Sequence, residues 1–186
     1  MILIFSAPSG SGKSTLVHYL LSKRSDLEFS VSCTTRPPRG KEQDGKDYYF
    51  ISNEEFERLI CEDAFIEYES VYAGTYYGTL KSEIRRIEEK GCHAVFDVDV
   101  MGGMNLKRIF GERALSVFVA PPSVEELERR LVQRATDAPE KIKERILKAE
   151  EELRQQESFD LVIVNDDLQQ AQRELLEKVN CFLSTK

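Results

Sequence analysis

The most informative stretch of this chain is Ser6-Ala7-Pro8-Ser9-Gly10-Ser11-Gly12-Lys13-Ser14-Thr15. It follows the short apolar run Ile2–Phe5 and precedes apolar residues at helical spacing between Leu16 and Leu21. A strand, a glycine-rich loop, a Lys-Ser pair and a helix in this order are typical of a phosphate-binding loop. The stretch therefore predicts a site for the phosphates of a nucleotide.

The residue types in this loop suit that chemistry. Gly10 and Gly12 allow backbone turns that a side chain would block, so successive N–H groups and a helix N-terminus can surround a phosphate. Lys13 is placed to reach the outer phosphates, and the hydroxyl of Ser14 is placed to bind Mg²⁺. The usual pattern opens with glycine, whereas this loop opens with Ala7, which fits only if that position does not need a positive φ.

Length, charge and cysteine usage restrict the class of protein. The chain has 186 residues, which suggests one domain, and a formal net charge of −7, which argues against a general nucleic-acid binder. The cysteines lie far apart without a C-x-x-C pair, so we expect neither a disulfide framework nor a zinc site. The first apolar run is too short for a signal peptide or a membrane span, and we therefore expect a cytoplasmic protein without a membrane partner.

The remaining pattern predicts an α/β fold. Apolar runs read as strands, mostly buried on both faces, and helical patterns lie between them. Such alternation predicts an open parallel sheet flanked by helices. The predicted strands are Ile2–Ser6, Phe29–Ser32, Ala94–Val98, Leu115–Ala120 and Leu161–Val164.

Two regions interrupt the alternation. Residues 33–79 are rich in tyrosine, glycine and charge, with short β-like pieces at Asp47–Ile51 and Phe65–Val71, which indicates an inserted lobe with its own small sheet. Gln133–Pro139 separates two charged helices and reads as a mobile flap. We expect a single domain, 1–186, made of a core (1–32, 80–132 and 158–186), a lobe (33–79) and a helical lid (about 133–157).

Several further motifs follow the loop in a fixed order, and together they resemble the guanylate kinase family from one end of the chain to the other. The resemblance implies a P-loop NTPase-type parallel sheet with an inserted mixed-β GMP-binding lobe. It also implies transfer of the ATP γ-phosphoryl group to GMP, with dGMP as a further acceptor, in purine nucleotide metabolism and GMP recycling, with Mg²⁺ as cofactor. The motifs are Ala7–Ser14, Ser30–Arg39, Gly45–Tyr48, Phe65–Glu67, Tyr76–Thr79, Phe96–Asp99 and Ile163–Asp167.

By resemblance, four side chains hold the GMP phosphate. Arg36 and Arg39 offer planar guanidinium groups that match phosphate oxygens, and Tyr48 and Tyr77 add neutral hydroxyl donors. A monophosphate carries about −1.5 to −2 charges at neutral pH, so cationic partners are needed to hold it beside a triphosphate.

By resemblance, Glu67 reads the guanine base, with the hydroxyls of Ser32 and Thr79 beside it. Guanine offers N1–H and N2–H₂ as adjacent donors, which a carboxylate accepts. Adenine would present an acceptor at N1, and unmade bonds of this kind discriminate strongly.

The reaction needs no catalytic base, because the accepting phosphate oxygen is already anionic. Alignment and neutralisation of charge on the transferred group are sufficient. The resemblance assigns these roles to Lys13, Arg36 and the lid arginines Arg134 and Arg145, with Arg130 a weaker candidate.

Further residues receive roles by resemblance only. ATP is held by the loop and, near adenine, by Asn165. Asp97 and Asp99 face the gap between GMP and the magnesium ion, and they contact the nucleotide directly or through metal-bound water. The sequence does not divide these roles between them, and Asp99 is the candidate for a contact with the metal through water. Gly102-Gly103 departs from the family pattern and predicts a looser turn there, so Met101 receives no role. The loop residues that contact ATP are Ala7, Pro8, Ser9, Gly10, Ser11, Gly12, Lys13, Ser14 and Thr15.

Two other interpretations stay open at this point. One is a kinase for AMP or UMP, against which Glu67, Ser32 and Thr79 argue. The other is a guanylate-kinase-like binding module without catalysis, against which Lys13 and Ser14 argue. The sequence leaves the oligomeric state open between monomer and homodimer.

Overall fold

The computed structural model describes residues 1–72, 74–133 and 139–184. The chain divides into two units, named here after the roles that the family resemblance implies: Met1–Ser25 with Asp97–Lys186 is the donor unit, and Asp26–Phe96 is the acceptor unit. In chain order the elements are β1 Ile2–Ser6, α1 Lys13–Lys23, β2 Leu27–Phe29, β3 Cys33–Thr34, β4 Tyr49–Phe50, α2 Asn53–Cys61, β5 Phe65–Tyr72, β6 Thr75–Leu80, α3 Lys81–Glu89, β7 His93–Asp97, α4 Val100–Phe110, β8 Ala114–Ala120, α5 Val124–Gln133, α6 Pro139–Leu153, β9 Leu161–Val164 and α7 Leu168–Ser184.

The larger sheet has five strands in the order β2-β7-β1-β8-β9. Its pairs β2–β7, β1–β8 and β8–β9 are parallel. All of β1 is buried, as expected for a strand of a parallel sheet covered by helices. The predicted α/β class with a parallel sheet flanked by helices is confirmed.

The smaller sheet lies in the acceptor unit and has the order β4-β3-β6-β5. It is mixed, because β3 pairs with β4 in parallel and with β6 in antiparallel orientation. Helix α2 packs on it through Phe56, whose ring stacks on Phe65 with 4.4 Å between centroids. Cys33, Phe56 and Phe65 form the core of this region.

Serine caps begin two helices, each in the Ser-x-x-Glu pattern that favours a helix start. Ser52 Oγ accepts the Glu55 N–H at 3.1 Å before α2, and Ser123 Oγ accepts the Glu126 N–H at 3.2 Å before α5. Within the described residues, none of these helices is both long and apolar enough to span a bilayer.

The predicted strand Phe29–Ser32 is wrong by about two residues, since β2 is Leu27–Phe29. The Ser30 N–H still bonds to Val95 O at 2.9 Å, but the next N–H, that of Val31, donates to the buried carboxylate of Glu83 at 2.9 Å. A side chain therefore replaces the neighbouring strand and ends the ladder.

The predicted turn at Gly102-Gly103 is also wrong, because both residues lie inside α4. Asp99 caps this helix by accepting the Gly102 N–H at 2.7 Å. A Cβ on Gly103 would lie 2.3 Å from Ser6 Oγ. The absent side chain lets α4 pack closely against β1, which a turn does not require.

Candidate active site

The phosphate loop of the donor unit connects β1 to α1. Gly10 and Gly12 have φ values of 99° and 95°, in the left-handed region that favours glycine. Helix α1 begins at Lys13 directly after Gly12. Among the described residues only Asp63 combines a side chain with positive φ, so Ala7 meets the condition set for it by the sequence.

A buried asparagine braces this loop. Asn165 is 6% exposed, and its Nδ2 donates to Ser11 O at 2.8 Å. A Cβ on Gly12 would lie 2.2 Å from the same nitrogen, so the amide packs directly on the loop. Arg130 Nη2 donates to Asn165 O at 3.0 Å, and its Nε donates to Glu126 at 2.8 Å. The Asn165 side chain supports the loop backbone, and the position near adenine that the resemblance implies for Asn165 stays a prediction.

The loop lysine is held by the end of β7. Lys13 Nζ lies 2.5 Å from Asp97 Oδ1 and donates to Val98 O at 2.8 Å. Asp99 is fixed by its cap bond to Gly102 and by Ser6 Oγ, which donates to Asp99 O at 2.9 Å. Both carboxylates therefore belong to the same unit as the phosphate loop.

Helix α6 brings two further charged groups to the loop. Arg145 Nη1 donates to Ser9 Oγ at 2.7 Å, so this predicted lid arginine contacts the loop. Burial raises the pKa of Glu152, and the charge of Asp99 raises it further, while Lys148 and Lys13 act in the opposite direction. Glu152 received no role from the sequence, because one more glutamate in a charged helix carries no signal. Arg134 lies outside the described residues.

In the acceptor unit an arginine and two tyrosines come together. Arg36 is 9% exposed, and its guanidinium carbon lies 4.8 Å from the centroid of the Tyr48 ring. Arg36 Nε donates to the Tyr77 hydroxyl at 3.1 Å. The two tyrosine rings meet edge to face with 6.0 Å between centroids. Three of the predicted phosphate-binding residues thus form one cluster, while Arg39 is exposed on the following loop.

Glu42 joins this cluster and was missed by the sequence analysis. Its carboxylate accepts Arg36 Nη1 at 2.6 Å, Arg36 Nη2 at 2.8 Å and the Arg39 N–H at 2.7 Å. The hydrogen bonds from Arg36 lower the pKa of Glu42 despite its partial burial, and Glu42 in turn raises the pKa of Arg36. The only sequence signal was a glutamate three residues after Arg39, which is too common to be informative.

The predicted base-reading pair lies on adjacent strands. Glu67 on β5 stands opposite Thr79 on β6, and Thr79 Oγ1 donates to Glu67 Oε1 at 2.9 Å. Thr79 is fully buried, so this bond orients the carboxylate from its buried side. Ser32 is half-buried between β2 and β3, where its carbonyl accepts the Tyr49 N–H at 2.9 Å.

A phosphate loop on a parallel sheet, together with a separate Arg-Tyr cluster beside an oriented carboxylate, defines a P-loop nucleoside monophosphate kinase. Comparison with known families narrows the class, because residues 1–181 match the family described as guanylate kinase. The chain belongs to the guanylate kinase family.

Individual relatives agree with this assignment. The guanylate kinase of Bacteroides thetaiotaomicron is 55% identical over 183 residues, which cover 98% of this chain and 90% of that protein. That of Porphyromonas gingivalis is 49% identical over 184 residues, covering 98% of each. The crystal structure of guanylate kinase from Anaplasma phagocytophilum matches with a TM-score of 0.78 at 32% identity, covering 97% of this chain and 85% of that one.

Proposed function

We propose that this chain transfers the γ-phosphoryl group of ATP to GMP, giving ADP and GDP. The observation that carries the choice of acceptor is the bond from the buried Thr79 hydroxyl to Glu67, which holds a carboxylate in place for a base with two adjacent donors. In the reaction the bond between the γ-phosphorus and the β,γ-bridging oxygen breaks, and a bond to a GMP phosphate oxygen forms. No proton has to be removed, since that oxygen is anionic at neutral pH.

On the donor side, the loop backbone at 7–15 binds the ATP phosphates and Lys13 neutralises the outer ones. Lys13 must then exchange its contact with Asp97 for phosphate oxygens. Arg145, already in contact with Ser9, adds positive charge at the transferred group, and Arg134 is proposed to do the same. Asn165 keeps the loop in its binding conformation.

On the acceptor side, Arg36, Arg39, Tyr48 and Tyr77 bind the GMP phosphate. Arg36 supplies charge, and the tyrosine hydroxyls supply neutral hydrogen bonds. Glu67 accepts from guanine N1–H and N2–H₂, with Ser32 and Thr79 beside it. Asp97 and Asp99 are further candidates for contact with GMP.

Mg²⁺ is proposed to enter with ATP. The described residues contain no group of three or more His, Cys, Asp or Glu side chains that could hold a metal ion. Ser14 is exposed in the first turn of α1, and Asp97 and Asp99 are partly exposed carboxylates of the same unit. Mg²⁺ is commonly bound by such oxygens together with substrate phosphates and water, so the donor set fits. The ion would neutralise charge on the phosphates.

The wider assignments follow the same resemblance. We propose that 33–79 acts as the GMP-binding lobe and about 133–157 as the lid on a core of 1–32, 80–132 and 158–186. dGMP is a proposed second acceptor, and purine nucleotide metabolism, including GMP recycling in the cytoplasm, is the proposed setting.

A coupled assay of ADP release tests the proposal. ATP and Mg²⁺ are supplied with GMP, dGMP, AMP, UMP or CMP as acceptor. We expect turnover with GMP and dGMP and at least about 10²-fold lower kcat/KM with the others, because Glu67 would face unmatched groups. Preference for AMP or UMP would contradict the role of Glu67, and no turnover with any acceptor would contradict catalysis.

A further inference from the structure

Glu42 is bonded to Arg36, which contacts the other members of the acceptor cluster. This cluster consists of Arg36, Glu42, Tyr48 and Tyr77. Glu42 is partly buried, with a side chain 25% exposed, and it pairs with the nearly buried guanidinium of Arg36 through both carboxylate oxygens. The Glu42 N–H donates to Arg39 O at 3.1 Å while the Glu42 carboxylate accepts the Arg39 N–H. One side chain therefore fixes Arg36 and closes the turn that carries Arg39.

The hydrogen bonds of Arg36 show how far this influence extends. Nη1 donates to Pro37 O at 3.0 Å and to Glu42, Nη2 donates to Glu42, and Nε donates to the Tyr77 hydroxyl. Within the described residues this leaves one Nη2 hydrogen uncommitted. Because Tyr77 accepts from Nε, its own hydroxyl hydrogen is directed away from Arg36 and is available as a donor.

We propose that Glu42 is a positioning residue for the monophosphate of the acceptor nucleotide. Through Arg36 it orients the Tyr77 hydroxyl as a donor, and through the main chain it orients the loop of Arg39. The inference rests on the proposed function, since it assigns the phosphate of GMP to this cluster. It extends that function to a residue that does not itself contact the nucleotide.

Charge and geometry predict opposite effects at this position, which makes the proposal testable. Removing the negative charge of Glu42 leaves the cluster more positive, so a purely electrostatic effect would tighten phosphate binding. Loss of positioning would weaken it, because Arg36 and Tyr77 would have to be ordered by the ligand at binding. Binding would also tighten if Glu42 merely occupied Arg36 until phosphate displaced it, because removal of the carboxylate would then favour GMP.

The decisive variant is Glu42→Gln, which keeps the size of the side chain. The matched control is Glu62→Gln, which removes one charge from an exposed ion pair with Arg58 in the same unit. We expect Glu42→Gln to raise KM for GMP about tenfold or more, with KM for ATP unchanged within about twofold. Glu62→Gln should leave both within about twofold.

Guanosine separates positioning from damage to the fold. It carries the base but no phosphate, so its competitive inhibition against GMP should be the same in Glu42→Gln and the unchanged chain. In a double-mutant cycle with Tyr77→Phe, the effect of Glu42→Gln should shrink when the Tyr77 hydroxyl is absent, because both changes remove one interaction.

Three results would overturn the positioning role: an unchanged or lower KM for GMP in Glu42→Gln, equal loss of guanosine and GMP binding, or additivity with Tyr77→Phe. If the unchanged chain failed to phosphorylate GMP, the proposed function itself would fall. The assay of the unchanged chain therefore distinguishes failure of the function from failure of this inference.

Discussion

The donor loop and the acceptor cluster are both proposed to bind phosphate groups, but they are built from different parts of the chain. The proposed donor site uses backbone N–H groups of consecutive residues, Ala7 to Thr15, with glycines where φ is positive. The acceptor cluster is made by side chains from separate segments, with Arg36 and Glu42 on one loop and Tyr77 on strand β6. A backbone site needs a particular loop conformation, whereas a side-chain site needs partners that orient each group.

The two sites tolerate different substitutions. The loop accepts a methyl group at Ala7 because φ there is ordinary, but Gly12 has no room for one beside Asn165. In the acceptor cluster, Glu42 and Tyr77 hold the guanidinium of Arg36 in place through hydrogen bonds. We therefore expect loss of donor function from changes in charge at the loop, and loss of acceptor function from changes in orientation.

The largest effect is expected at Lys13. Lys13→Ala removes the side-chain cation that neutralises the transferred group, so kcat should fall by about 10² to 10³-fold. Lys23→Ala, at the other end of the same helix, is the control and should leave kcat unchanged. Steady-state assays with saturating GMP and ATP measure both, and a fall below about tenfold for Lys13→Ala would place catalysis elsewhere.

The next effect tests the acceptor side alone. Glu67→Gln replaces one acceptor oxygen by an amide donor that opposes the guanine N–H groups, so kcat/KM for GMP should fall by about 10²-fold. KM for ATP should stay near normal. Glu57→Gln, an exposed change on α2, is the matched control. Equal losses for GMP and ATP would show that Glu67 supports the fold and does not select the base.

A smaller effect is expected where a side chain supports the backbone site. Asn165→Ala leaves Ser11 O buried without its donor, which costs about 1–3 kcal/mol in the free energy of unfolding. KM for ATP should rise about tenfold while KM for GMP is unchanged. Urea unfolding and steady-state kinetics measure the two quantities. Asn105→Ala, which loses only an exposed contact with Arg108, is the control.

If Asn165 contacted adenine and did not brace the loop, the variant would lose discrimination between ATP and GTP as donors at unchanged stability. That pattern would contradict the bracing role. It would also support the position near adenine that the sequence predicted for this residue.

The smallest effect concerns the thiol of Cys33, in the centre of the smaller sheet. Burial raises its pKa to about 12, and the charges of Glu83 and Asp44 add to the rise, so alkylation at pH 8 requires local opening. GMP at about three times its Kd should slow this alkylation about fourfold, whereas ATP should not. Mass spectrometry resolves Cys33 from the exposed Cys61 and Cys181. Equal protection by ATP would show that the two units open together.

Sequence alone determined the features that depend on neighbouring residues. The loop 7–15 could be predicted because its glycines, lysine and hydroxyls lie close together in the sequence. The parallel sheet could be predicted because its buried strands are continuous apolar runs. Helix starts at Ser52 and Ser123 followed from local capping chemistry. Glu67 and the Arg36 motif were found through the family resemblance, with roles that stay predictions.

Features that depend on residues far apart in the chain became visible only in the folded structure. The Val31 N–H meets Glu83 across 52 positions and ends β2 early, and Asn165 reaches Ser11 across 154. Position 103 in α4 carries a glycine because Ser6 lies where a side chain would be. The role proposed for Glu42 follows from its hydrogen bonds with the guanidinium of Arg36. In each of the first three cases a buried polar group or a close contact joins residues that are far apart in the chain, so no local sequence pattern predicts it.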